Sequence, residues 1–199
     1  LKEAIEDSKI KMPQGVYKNE FIRKQETTKA SNFVLLSGNC KYDLKNNILL
    51  DMTSQILDLV YTAKVREDEG GTYGVYVGNQ LIKYPKEKAI IQIIFDTAPE
   101  KREKLMKIIF AELENITKIG PSEVDLNKVK EFMLKKHTEN LKENRYWLNS
   151  IDEYLFTGMN PIKDFAQVVS SITIKDIQKF ADDLFKQKNE IEVSMISPE

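Results

Sequence analysis

The fold is decided by one stretch of sequence, Val65-Arg66-Glu67-Asp68-Glu69-Gly70-Gly71-Thr72-Tyr73-Gly74-Val75-Tyr76-Val77. It begins at the end of an amphipathic helical pattern and passes through a charged turn with two adjacent glycines. From Thr72 to Gly78 the residues alternate, and every second one, beginning at Tyr73, falls on one face of a strand. The opposite face carries Gly74 and Gly78, which permit close approach of another group. The stretch therefore predicts a helix followed directly by a strand.

The helix that leads into this stretch is predicted from about Leu44 to Val65. Its apolar residues recur at the spacing of one helical stripe, namely Ile48, Met52, Ile56, Leu59 and Val60. We expect this stripe to face the core. Two earlier strands are predicted from Val16 to Arg23 and from Asn32 to Ser37, because both segments are rich in β-branched and aromatic residues.

The strand after the glycine turn is predicted to pair with the next strand along the chain. Asn79 to Glu87 contains Pro85 and is typical of a hairpin connection. Ala89 to Phe95 is apolar on both faces, which favours a central position in a sheet. The alternative is an exposed edge strand that pairs with an extended substrate.

The second half of the chain is dominated by helical patterns. Pro99 opens one helix, and capping signals mark the starts of two more, Ser122 with Asp125 and Thr173 with Asp176. Another helical face follows residue 144 and carries Trp147, Ile151, Tyr154 and Leu155. We expect the aromatic residues of that face to belong to the core rather than to a ligand cage. A final strand alternates over residues 191–195.

This order of elements predicts an α+β fold, with a mostly antiparallel sheet and helices packed on one face. A nucleotide-binding doubly wound sheet is disfavoured, because strands and helices do not alternate and no glycine-rich loop joins a strand to a helix. We expect residues 1–199 to form a single domain, with residues 1–15 as the tail of an upstream linker or helix.

Composition excludes several classes of partner. The chain has 30 Lys and Arg against 31 Asp and Glu, a formal net charge of −1, so it carries no basic footprint for nucleic acid. No apolar run approaches the roughly 18 residues that span a bilayer, and we expect no membrane span. A single cysteine, Cys40, excludes an internal disulfide. Cytoplasm and bacterial periplasm or cell envelope both remain open as compartments.

Few residues of the chain suggest catalysis. His137 is the only histidine, so the paired histidines of a helical zinc site are absent and no metal ligands are predicted. Cys40 is expected to be a small buried or half-buried residue. Arg66 and Tyr73 are seven residues apart, and their side chains converge on one cleft if the turn folds back. In the alternative interpretation, Arg66 is a cation at the C-terminal end of a helix and Tyr73 is a core residue of a strand.

The pattern R-E-x-x-G-x-x-Y-x-V resembles the signature of the C-terminal half of pitrilysin/insulinase-type zinc metallopeptidases. Arg66, then Gly70 or Gly71, then Tyr73 match it. The resemblance continues through three further segments and spans roughly residues 33–198; the segments are residues 121–130, 144–147 and 174–181.

This resemblance implies a clamshell enzyme whose N-terminal half carries zinc in an inverted H-x-x-E-H motif, which this chain lacks. The present chain would then be the C-terminal half that closes over a peptide or unfolded polypeptide, with the zinc half as its partner. Tyr73 would hydrogen-bond the reacting carbonyl, and Arg66 with Gly70 and Gly71 would bind substrate. The alternative is a non-catalytic interaction or scaffold domain of the same fold.

Overall fold

The structure, a computed structural model, describes residue 9, residues 14–69 and residues 74–198, apart from the side chains of residues 66–69. Within these ranges the elements are, in chain order, β1 (Gly15–Ile22), β2 (Ala30–Asn39), α1 (Leu44–Glu69), β3 (Val75–Ile82), β4 (Lys88–Thr97), α2 (Arg102–Lys118), α3 (Glu123–Asn140), α4 (Asn144–Thr157), α5 (Phe165–Ser171), α6 (Ile174–Phe185) and β5 (Asn189–Ile196). A short 3-10 turn, Pro99–Lys101, precedes α2. The predicted α+β fold is confirmed.

The described strands form one sheet in the order β1-β5-β2-β4-β3. β2 pairs antiparallel with both β4 and β5, and β3 pairs antiparallel with β4. Only the β1–β5 pair is parallel, with Gly15 opposite Asn189. The segment from Ala89 to Phe95 is therefore central, and its alternative position as an exposed edge is wrong. β1 and β3 are the edges.

The helices cover one face of the sheet. The strands show this, since their residues alternate between buried and accessible positions. Val34 of β2 and Ile93 of β4 are fully buried, whereas their neighbours Phe33 and Ile94 point to the other face and are partly accessible. α1 packs beneath this sheet through three of its stripe residues, Ile48, Met52 and Ile56. Leu59 was expected in the same stripe, but its side chain is 40% exposed.

Helix ends follow the sequence signals. Ser122 caps α3 by accepting a hydrogen bond from the backbone N–H of Asp125 at 3.0 Å. Thr173 and Asp176 form a reciprocal capping box at the start of α6. α4 ends at Gly158, whose φ of 79° lies in the left-handed region that favours glycine. The sequence analysis did not predict α5, which is only seven residues long.

α4 departs from expectation in its orientation. Trp147 and Tyr154 were expected in the core, but they are 45% and 54% exposed. Its buried positions are instead Ser150 and Thr157. No helix among the described residues combines the length and apolar character needed to cross a membrane.

Candidate functional site

The C-terminal part of α1 is fixed from below by α2. The hydroxyl of Tyr61, which is fully buried, donates a hydrogen bond to the carbonyl oxygen of Ile109 at 3.0 Å. Lys64 is ion-paired with Glu112, a largely buried carboxylate, and Val65 is buried in the core. The turn of α1 before Arg66 is therefore held by a half-exposed ion pair, a buried hydrogen bond and packed side chains.

The start of β3 is fixed to the same helix. The carboxylate of Asp58 accepts a hydrogen bond from the backbone N–H of Val77 at 3.3 Å. Val75 and Val77 face the helices and are buried, whereas Tyr76 faces away and is 58% exposed. The predicted alternation is confirmed for these residues. Residues 70–73 therefore connect α1 to a strand, β3, that is itself hydrogen-bonded to α1.

A groove runs along the outer edge of β3, between α1 and α3. Its volume is about 430 Å³, and it is lined by Gln55, Asp58, Leu59, Tyr76, Val77, Lys128, Val129 and Phe132. Leu59, Tyr76 and Phe132 present large apolar surfaces to solvent here, while Asp58 and Lys128 supply opposite charges. Such a mixture suits an apolar side chain of a peptide together with its polar backbone.

Sequence analysis missed this groove. Leu59 was assigned to the core stripe, and Phe132 lies one residue before the buried Met133 of α3, so it sits off the apolar stripe of that helix. The available signal was an aromatic residue out of phase with its own helix's core positions.

The structure places only part of the predicted site. Arg66 lies in the last turn of α1. Gly70, Gly71 and Tyr73 lie outside the described residues, so the structure neither joins Tyr73 to Arg66 nor separates them.

The sole histidine has a local structural partner. His137 Nδ1 lies 2.9 Å from the hydroxyl of Tyr146, and its ring stacks on Phe165 with centroids 4.4 Å apart. Burial lowers the pKa of His137. Among the residues that the structure describes, no three potential ligands cluster as a metal site requires.

Cys40 also has the properties of a structural residue. Its thiol is half-buried, and burial raises its pKa to about 11, with smaller contributions from Asp43 and Glu87. A thiol with this pKa carries almost no thiolate at neutral pH, so Cys40 is a poor nucleophile.

Residues 3–133 match the family described as the peptidase M16 inactive domain, which is well over half of the chain. The chain belongs to this family. The match confirms the resemblance to the C-terminal domain of pitrilysin/insulinase-type peptidases. The matched range extends over the end of α1 and over residues 70–73.

Individual relatives of this M16 domain are distant. A zinc protease PQQL-like protein of Arabidopsis thaliana is 28% identical over 92 residues, which are 44% of this chain and 10% of that protein. This M16 domain therefore spans only a small part of the curated relative that it matches.

Solved structures share the fold. A protease from Helicobacter pylori aligns with a TM-score of 0.79 at 19% identity, covering 99% of this chain and 48% of that chain. A peptidase M16 inactive domain from Pseudomonas fluorescens aligns with a TM-score of 0.75 at 19% identity, over 94% and 44% of the two chains. The periplasmic protease PqqL from Escherichia coli aligns with a TM-score of 0.77 at 14% identity, over 92% and 21%.

Proposed function

We propose that this M16 domain is the substrate-holding, cleft-closing part of a zinc-dependent endopeptidase that acts on peptides or unfolded polypeptides. The observation that carries the proposal is the family match over residues 3–133, a range that contains the residues on which the resemblance rests, Arg66, Gly70, Gly71 and Tyr73. A partner half, in the same polypeptide or a separate subunit, would supply the zinc. Residues 1–199 would act as one domain, with residues 1–15 leading in from upstream.

The proposed roles of the two side chains differ. Attack of water on a peptide carbonyl places negative charge on the carbonyl oxygen, and a phenol such as Tyr73 stabilises that charge with a hydrogen bond that strengthens as the charge develops. The guanidinium of Arg66 would bind a backbone carbonyl or a terminal carboxylate of the peptide before and during the reaction. Gly70 and Gly71 would leave backbone room for the substrate between them.

The described structure supports these roles through the ends of the turn. Asp58 holds β3 to α1, and Tyr61 with Lys64 holds α1 to α2, so the described segments on either side of residues 70–73 are both anchored. Precise placement matters, because an oxyanion donor works only when it is already aimed at the reacting oxygen. The groove beside β3 would receive a side chain of the same extended peptide.

The residues that the structure describes do not suit a catalytic zinc ion. The Nδ1 of His137 is engaged by Tyr146, and the described residues hold no ligand cluster around it. When present in the complete enzyme, zinc would polarise the scissile carbonyl and activate water. Its ligands are therefore assigned to the companion half, and the isolated chain is expected to hydrolyse no peptide.

The test uses the complete peptidase. Tyr73→Phe removes only a hydroxyl and should lower kcat about 10²-fold with little change in KM, the scale of one lost oxyanion donor. Arg66→Ala should raise KM as well, because it removes binding that precedes the chemical step. Tyr17→Phe is the matched control: it removes the hydroxyl of an exposed tyrosine on β1, the opposite edge of the sheet from β3, and should leave both constants unchanged. A folded Tyr73→Phe enzyme with kcat within about threefold of wild type would refute the role of Tyr73.

A second candidate function is a non-catalytic interaction or scaffold domain. It is favoured by the family's own description as an inactive domain. The reading frame of the partner half discriminates the two, since an intact H-x-x-E-H motif there supports the peptidase and its loss supports the scaffold.

A further inference from the structure

α4 differs from the other helices of the domain, because its two buried residues, Ser150 and Thr157, are both polar. The hydroxyl of Ser150, which is buried, donates to the carbonyl oxygen of Tyr146 at 2.7 Å. Glu153 accepts hydrogen bonds from Tyr42 and from Thr157, the latter at 2.7 Å. The polar groups on the inner side of α4 therefore have hydrogen-bond partners, Ser150 within its own helix and Glu153 in Tyr42 and Thr157.

The inward side is also tied to the sheet at its C-terminal end. Lys83, which follows β3, donates to the carbonyl oxygen of Thr157, and the ring of Tyr84 packs edge-on against Phe156 with centroids 5.3 Å apart. Burial, followed by the hydrogen bond to Glu153, raises the pKa of Tyr42 to about 12, so that this phenol stays protonated and the bond persists at neutral pH. The orientation of α4 is thus fixed by its own polar contacts.

The apolar residues of α4 consequently point into solvent. At 100° per residue, five of them fall within an arc of about 120° on the outer side. They are Trp147 (45% exposed), Leu148 (67%), Ile151 (52%), Tyr154 (54%) and Leu155 (77%). We call these five residues the α4 face. Scattered exposed apolar residues are ordinary, but five contiguous large ones on one helix mark an interaction surface.

The α4 face has the layout of an interface between proteins. A groove of about 310 Å³ runs between Trp147, Ile151 and Tyr154 on one side and the loop carrying Ile162 and Lys163 on the other. Trp147 is held in place, because its indole N–H donates to the carbonyl oxygen of Leu141 at 2.9 Å. A tryptophan fixed by a hydrogen bond beside a groove, with Lys163 among the lining residues, is an arrangement typical of interfaces.

The comparisons indicate what occupies it. Two of the solved relatives contain about as much chain again: the domain covers 48% of the Helicobacter pylori protease and 44% of the Pseudomonas fluorescens protein. In such proteins a companion region of similar size accompanies this domain. A companion of about 200 residues has a radius of gyration of about 16 Å.

The path of the chain brings an upstream companion close to α4. α4 is tied to Tyr42, three residues after β2, and to Lys83, the residue after β3. β1 begins at the same end of the sheet, since Gly15 is paired with Asn189, which is paired with Ser37 near the end of β2. The two edges of a five-stranded sheet are about 19 Å apart, a distance that the companion easily spans.

We propose that the α4 face is the docking surface for the companion domain of the same peptidase, with apolar side chains of that domain filling the groove beside Trp147. This inference rests on the proposed function, in which an upstream companion exists. It explains why a helix with a satisfied polar inner side keeps five large apolar residues on its outer side.

Hydroxyl-radical footprinting of the complete peptidase, read by mass spectrometry, tests the proposal at single residues. The rates at Trp147, Leu148 and Leu155, each normalised to its rate in the denatured chain, should fall at least about tenfold below that expected for a free side chain, as in the dry centre of an interface. Ile119 and Val124, which are 73% and 61% exposed at the α2–α3 junction, are the internal controls and should stay reactive.

A substitution in the α4 face provides a second test of the proposal. Leu155→Arg changes the most exposed residue of the α4 face, so the domain should still fold, but it places an unpaired charge in the interface. It should restore the reactivity of Trp147 and speed protease cleavage between the two domains about tenfold or more, whereas Ile119→Arg should do neither.

Each other outcome overturns the proposal. Equal reactivity of the α4 face and the controls would show that nothing covers it. Protection that appears only as protein concentration rises would indicate a second copy, and protection only with added peptide would indicate substrate. Turnover measured on the same samples separates the two proposals: cleavage with an unprotected α4 face refutes only this inference, and protection without cleavage refutes only the peptidase function.

Discussion

Asp58→Ala tests how the glycine turn is positioned. In the structure one carboxylate oxygen of Asp58 accepts from the N–H of Val77, two residues into β3. Hydrogen bonds to charged groups contribute about 1.5–3 kcal/mol, and the 3.3 Å length places this one at the low end, about 1.5 kcal/mol. Since 1.4 kcal/mol corresponds to about a factor of ten, local opening at the start of β3 should become about tenfold more frequent.

Native-state hydrogen exchange of the Val77 amide measures this opening directly. We expect about tenfold faster exchange at Val77 in Asp58→Ala, with core amides of β4 unchanged. Asp51→Ala is the matched control on the same helix, because Asp51 accepts from the side chains of Asn79 and Gln55 rather than from the backbone of β3. Exchange at Val77 that stays within about twofold of wild type would refute the reasoning that α1 holds the start of β3. In the complete peptidase the same variant should lower kcat, since a looser strand aims Tyr73 less well.

The other predictions concern stability of the domain. Ile56→Ala should cost about 2–5 kcal/mol in denaturant unfolding, because the side chain is buried in the core and leaves a cavity, whereas Leu59→Ala on the exposed side should cost less than about 1 kcal/mol; equal losses would show that α1 is rotated from its described orientation. Burial, together with the carboxylate of Glu192, raises the pKa of Glu190 from its ordinary value of 4.5 to about 7. Because the folded state holds this proton more tightly than the unfolded state, the contribution to stability is complete below about pH 4.5 and is lost as the pH rises towards 7. Glu190→Gln should remove this contribution, and a Glu190→Gln profile with the same slope as wild type between pH 5 and about 7 would contradict the assignment.

Periodicity was enough to predict most of the architecture. α1, β2 and β4 were predicted correctly because their apolar spacing repeats over many residues. The caps at Ser122 and Thr173 were predicted correctly because each hydroxyl accepts a hydrogen bond from the backbone N–H three residues later, which fixes their sequence position. α5 was missed because seven residues contain too little of a repeat to distinguish a helix from a loop.

The orientation of α4 could not be predicted in the same way. An apolar stripe shows that a face requires burial, but it does not say whether the covering atoms belong to the same domain. Trp147 and Tyr154 therefore carried the same signal as true core residues. The polar contacts that decide the outcome join α4 to Tyr42 and Lys83, which are 111 and 74 residues away from their partners in sequence.

Only those residues of the candidate site that lie in the signature of the resembling family were predicted from the sequence. Arg66 and Tyr73 were selected by resemblance, and the turn between them has no periodicity of its own. Asp58 was not predicted as a site residue. Nothing in the sequence of α1 indicates that its carboxylate accepts a hydrogen bond from the backbone N–H of Val77, nineteen residues later. Long-range pairing of this kind depends on the tertiary structure.

The position of β5 has a consequence for the folding of the domain during its synthesis. β5 is the last described strand in sequence, yet it lies between β1 and β2. β1 pairs only with β5 among the described strands, so during synthesis it stays without this partner until residues 189–196 have emerged from the ribosome. During that interval one edge of β2 is also open, and open strand edges can pair with other chains. Truncation before Asn189 would therefore remove two strands from the sheet rather than one.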